Sequence, residues 1–129
     1  MTFILVPKRG DDIQVNAWNW RPTLELLHGE GLIDEELYER MGAQGAGGEV
    51  DAELAARIAE VVERELAGMR SSERMRGDLT ATDRPKAKWA FTPGTRPDEI
   101  DANDIYSATF EWLAEFAGFC RSSGGFGVY

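Results

Sequence analysis

The spacing of apolar positions changes several times along the chain, and each change marks an element. Phe3-Ile4-Leu5-Val6-Pro7 is a short apolar, partly β-branched run, and after Lys8-Arg9-Gly10-Asp11 the residues Ile13, Val15 and Ala17 alternate with Gln14 and Asn16. Two such runs on either side of a glycine-containing loop predict a β-hairpin. Leu24, Leu26 and Leu27 then predict a short helix with Pro22 in its first turn and Asn19 as the nearby cap, ending near Gly29 or Gly31.

A second helix starts at Ile33-Asp34-Glu35-Glu36. Asp34 can cap it, Ile33 can staple onto Tyr38, the glutamates suit the positive end of the helix dipole, and Gly42 stops it. "GAQGAGG" at 42–48 reads as a flexible connector to a longer helix from Asp51 to about Ala67, with Gly68 as a left-handed stop. At 100° per residue Leu54, Ile58, Val61, Val62 and Leu66 share one face of that helix. Glu53, Arg57, Glu60 and Arg64 form an outward strip suited to an ion-pair ladder.

Residues 69–99 show no sustained period, and the pattern suggests a helical turn near Ser72–Arg76 and an extended piece around 87–92 packed by Trp89 and Phe91. The last helix is expected to be capped by Asp101, with Asp104 in a capping-box position and Ile100 stapled onto Ile105. Its apolar arc takes in Ile105, Tyr106, Thr109, Phe110, Trp112, Leu113, Phe116, Ala117, Phe119 and Cys120, so it should be the central helix. Gly124-Gly125 ends it, and "FGVY" reads as a strand-like tail able to join the hairpin. The expected fold is α+β and mostly helical: one domain spanning 1–129, with a small N-terminal hairpin packed on a central C-terminal helix and two to three further helices.

Composition narrows the class without naming a reaction. With 43% apolar and 29% charged residues the chain is neither disordered nor membrane-like, and no run reaches the ~18 apolar residues a spanning helix needs. Cytoplasmic location is the default for such a chain, and the single cysteine excludes an internal disulfide. Arginine outnumbers lysine 11 to 3, which reads as the codon bias of a GC-rich bacterial genome and carries no functional weight.

The net charge of -9 disfavours nucleic acid and anionic lipid and favours a basic partner. Residues 70–88 hold six basic and three acidic side chains, leaving -12 on the remainder. That segregation allows like subunits to associate, so a homo-oligomer is a third reading.

The motifs that suggest chemistry have structural explanations. His28 and Cys120, the only residues of their types, are too few for a zinc site. Cys120 also sits in an apolar arc, unlike a reactive thiol. "DEIDAND" at 98–104 concentrates carboxylates but lacks the glycine and the oxygen ligand spacing of a calcium loop. "GAQGAGG" follows a helix and lacks the Gly-Lys-Ser/Thr ending of a phosphate loop. No metal and no cofactor is expected.

Two surfaces remain. Trp18, Trp20 and Arg21 form an aromatic corner that either packs the fold or anchors a partner, since Trp and Arg dominate interface energetics. Glu111 and Glu115, one turn apart beside the small residues Ala114 and Gly118, are candidates for a ligand pocket. The leading expectation is a non-enzymatic acidic protein-binding module, such as a cytoplasmic inhibitor or immunity-type protein. Its contacts would be Trp18, Trp20, Arg21, Glu35, Glu36, Glu39, Glu60 and Glu63. The alternative is a small-molecule binding protein or minor enzyme with a pocket near Glu111/Glu115 or Trp18/Trp20.

Overall fold

The structure, a computed structural model, describes residues 2–84 and 105–129. Along the chain the elements are β1 (Thr2–Pro7), β2 (Ile13–Asn16), α1 (Ala17–Gly29), α2 (Glu35–Gly42), β3 (Gly48–Asp51), α3 (Ala52–Ala67), β4 (Arg74–Arg76), β5 (Ala81–Thr82), β6 (Ser107–Thr109), α4 (Phe110–Ser123) and β7 (Gly125–Val128). The fold is α+β: the strands form a four-stranded antiparallel sheet, β2-β1-β7-β3, and a three-stranded one, β5-β4-β6.

The N-terminal alternation folds as the hairpin it predicts, with Leu5 opposite Ile13. Phe3, Leu5 and Val15 point into the core, while Ile4 and Val6 face outward on the same strand as Phe3 and Leu5. The C-terminal tail joins it: β7 lies antiparallel between β1 and β3. Two glycines make the turn into β7. Gly124 ends α4 with φ +69°, and at Gly125 a Cβ would come within 2.8 Å of the Val50 carbonyl oxygen across the ladder.

Each helix start has a side-chain acceptor for its open amides. Asp34 Oδ1 accepts from Leu37 N at 2.8 Å, and Asp51 Oδ1 accepts from Leu54 N at the same distance. The first helix departs from expectation. Its cap is Asn16, whose Oδ1 accepts from Asn19 N at 3.0 Å, so the helix begins at Ala17 and Pro22 falls on its sixth residue, beyond the first turn. Asn19 serves a different contact, its Oδ1 accepting from Thr109 N at 3.0 Å and so fastening α1 to the start of α4.

Several other expectations are overturned. The glycine connector does not lead straight into α3, because Gly48–Asp51 pairs residue by residue with β7 as strand β3. Gly68 has φ -92°, so α3 stops without a left-handed residue. Among the described residues Glu53–Arg57 and Glu60–Arg64 do not close into a ladder, and Arg64 instead reaches Glu30 at 2.8 Å.

Of the helical turn expected near Ser72–Arg76 a single turn at 71–72 forms, closed by Glu73 N donating to the Arg70 carbonyl at 2.9 Å, and Arg74–Arg76 is strand β4, between β5 and β6. The C-terminal helix starts at Phe110 under a Thr109 cap, because Ser107–Thr109 is drawn into pairing with β4. Asp101, Asp104, Ile100 and the 87–92 piece lie outside the described residues.

The core gathers around Trp20, which is 0% exposed. Its ring meets Phe3 of β1 at 6.3 Å, and Trp112 and Phe116 of α4 edge-on at 6.3 and 5.5 Å, while its Nε1 donates to the Met41 carbonyl at 2.9 Å. Trp112 Nε1 donates to Thr23 Oγ1 at 3.0 Å, and that hydroxyl donates to the Asn19 carbonyl at 2.8 Å. Every buried polar side-chain atom among the described residues has a partner.

Thr23→Val keeps the side chain's shape and leaves the Trp112 Nε1–H buried without an acceptor. Chemical denaturation should show a loss of about 1–3 kcal/mol with an unchanged denaturant slope. The loss should shrink when the same change is made in a Trp112→Phe background, where no donor is stranded.

Candidate functional site

Trp18, Arg21, Glu25 and His28 are spaced three, four and three residues apart, so α1 places them on one face. The opposite face carries Trp20, Thr23, Leu24 and Leu27 into the core. Trp18 and Trp20, two residues apart on a helix, project about 200° apart. Their roles differ accordingly: Trp18 is 43% exposed, while Trp20 is fully buried.

The outward face is built upon from both ends. At the N-terminal end the Trp18 ring stacks on Tyr106 with centroids 5.0 Å apart, and the Arg21 guanidinium carbon sits 5.5 Å from the centroid of the same Tyr106 ring. At the C-terminal end α2 packs alongside, bringing Tyr38 to stack on His28 at 4.4 Å. The Tyr38 hydroxyl donates to Glu25 Oε1, and His28 Nε2 lies 3.0 Å from Glu35 Oε2.

Between the two helices is a depression of about 250 Å3 lined by Arg21, Leu24, Glu25, Tyr38, Glu39 and Gly42. Residues 17–42 carry six acidic side chains (Glu25, Glu30, Asp34, Glu35, Glu36, Glu39) against two basic ones (Arg21, Arg40), a local charge of -4.

Some sequence-predicted residues gather here and some do not. Trp18, Arg21, Glu35 and Glu39 belong to the α1–α2 face, Glu35 through His28 and Glu39 through the depression, while Glu36 on the same helix faces Arg40 at 4.0 Å. Trp20 is not a partner contact, because burial leaves it no surface to offer. Glu60 and Glu63 stand on α3. The Glu63 carboxylate pairs with Arg121 of α4 at 2.5 Å, which holds its pKa below the ordinary carboxylate range.

Glu111 and Glu115 are separated in use. Glu111 lines a groove of about 360 Å3 with Ser72, Arg74, Arg84 and Thr109, while Glu115 is exposed one turn further on and does not line that groove. Cys120 is buried on the inner side of α4, and burial pushes its thiol pKa well up, the reverse of an activated nucleophile. Among the described residues no group of three or more His, Cys, Asp or Glu is placed to hold a metal ion.

Sequence reasoning missed Glu25, His28, Tyr38 and Tyr106 as members of this surface. The signal for the first two was the complement of the leucine face of α1, readable once the helix start is placed at Ala17. Tyr106 carries no such signal, since only the tertiary fold brings it to Trp18.

Comparisons of the chain with protein-family models, with curated proteins and with solved structures return no match.

The Tyr38–Glu25 bond has a titration signature. The hydrogen bond to the carboxylate, then burial, then the negative fields of Glu25 and Glu35 raise the phenol pKa from 10.0 to about 12, with Arg21 acting in the opposite sense. A raised folded-state pKa means the bond's contribution to stability is fully present below 10.0 and is lost as pH rises through about 12. Near-ultraviolet phenolate absorbance should show one tyrosine titrating near 12. That midpoint should move down in Glu25→Gln and disappear in Tyr38→Phe.

Proposed function

We propose that the protein is a non-enzymatic acidic binding module whose α1–α2 face receives a basic protein partner, in the manner of a small inhibitor or immunity-type protein. The carrying observation is an exposed tryptophan stacked on Tyr106, in a segment, residues 17–42, with six acidic and two basic side chains. An interface needs an aromatic anchor whose ordering cost is already met, together with complementary charge that speeds encounter. Trp18 supplies the first. Glu35, Glu36 and Glu39 on α2 supply the second.

Cytoplasmic location belongs to the same proposal. No helix of the described residues is long and apolar enough to cross a membrane. A second reading, a small polar ligand, is favoured by the groove at Glu111, whose volume of about 360 Å3 falls in the range of small-molecule sites.

Affinity capture from the native lysate at low salt, followed by kinetics on the purified pair, tests the first reading. The partner should be basic, and its association rate constant should fall on the order of tenfold or more as salt rises while dissociation changes little. Trp18→Ala should weaken binding by at least about 2 kcal/mol, a factor of about 30. A complex indifferent to both salt and Trp18→Ala would sink the proposal.

A further inference from the structure

We infer that the depression between α1 and α2 is a socket for a single arginine side chain of the partner. The inference rests on the basic-partner reading and deepens it. At about 250 Å3 the depression is smaller than the ~300–1,000 Å3 of small-molecule sites, a size suited to one inserted side chain rather than a free metabolite.

Its lining matches the two halves of an arginine. Leu24, almost wholly buried in the core, floors the depression beneath the methylene stem, and Gly42 has no side chain to crowd the opening. Glu25 and Glu39 bring carboxylates from the two different helices, and Tyr38 adds an aromatic ring. A guanidinium is the cation that combines planar hydrogen bonding to carboxylate with stacking on an aromatic face.

The Tyr38–Glu25 hydrogen bond fixes one wall in advance. Glu25 Oε1 takes the Tyr38 hydroxyl, and a carboxylate has about four lone-pair sites, so the group is oriented while keeping acceptor capacity. His28, stacked on Tyr38 and 3.0 Å from Glu35, steadies the ring.

Arg21 lines the same depression, its guanidinium carbon 5.5 Å from the Tyr106 ring centroid, and its field reaches Tyr38, so it offsets one of the two lining carboxylates and leaves one negative charge in excess. Glu35 stands beside the depression against His28, and Glu36 faces Arg40 of its own helix, so neither adds to the lining itself. An anion would meet both Glu25 and Glu39, so the charge selects against it.

The test is an NMR titration of the intact protein with N-acetyl-arginine methylamide, with the lysine and the neutral citrulline analogues as comparisons. Saturable shifts should be confined to α1 and α2 around Glu25, Tyr38 and Glu39, tightest for arginine and lost for citrulline. Glu39→Gln, at an exposed position where folding is not at stake, should weaken the arginine probe about tenfold. Glu60→Gln on α3 should leave it unchanged.

Non-saturating shifts spread over every acidic surface, equal response to citrulline, or indifference to Glu39→Gln each overturn the socket. The broader reading fails separately. A captured basic partner that loses affinity in Trp18→Ala but not in Glu39→Gln would remove the socket and leave the acidic face standing.

Discussion

Trp20 is the side chain on which the architecture depends. Its ring meets β1 through Phe3 and α4 through Trp112 and Phe116, and its Nε1 is satisfied by the carbonyl of Met41 near the end of α2. One residue thus positions the large sheet, the C-terminal helix and α2 relative to α1. A buried indole brings a large apolar area and one donor that must find a partner, so the surrounding geometry has little freedom. The Trp112–Thr23–Asn19 chain of hydrogen bonds adds a second constraint between α1 and α4.

The outward α1–α2 face follows from that arrangement. With Trp20, Leu24 and Leu27 committed to the core, helical geometry obliges Trp18, Arg21, Glu25 and His28 to face outward together. The Asn19–Thr109 bond ties the start of α4 to α1, close in sequence to Tyr106, whose ring stacks on Trp18. Packing α2 against α1 brings Tyr38 onto His28 and Glu25. Turning α1 by half a revolution would bury Trp18 and expose Trp20, dismantling core and face together.

Much of the fold was readable because its signals are local. The hairpin alternation, the Asp34 and Asp51 caps, the amphipathic face of α3 and the Gly124 stop each lie within a few residues of what they specify. The short strands β3 to β6 were not, since runs of two to four residues cannot display a period, and their state comes from the strands they pair with. The misplaced start of α1 had a narrower cause: Asn16 and Asn19 are both good caps, and what separates them is that Asn19 is required by Thr109, 90 residues away. The candidate site was only half legible for the same reason, its charges being visible in sequence while the Tyr106 stack and the Glu25–Tyr38 bond are products of packing.

The division of labour on this face is a physical one. Exposed carboxylates act over roughly a Debye length, about 10 Å at 0.1 M salt, so they attract any basic surface and distinguish poorly among them. Discrimination has to come from groups with fixed geometry. Here these are Trp18 held against Tyr106, and Glu25 held by the Tyr38 hydroxyl. Both are ordered by contacts inside the protein, so a partner meeting them need not supply that ordering. On the proposed reading the long-range part sets how fast a partner arrives, and the two stacked clusters set which partner stays.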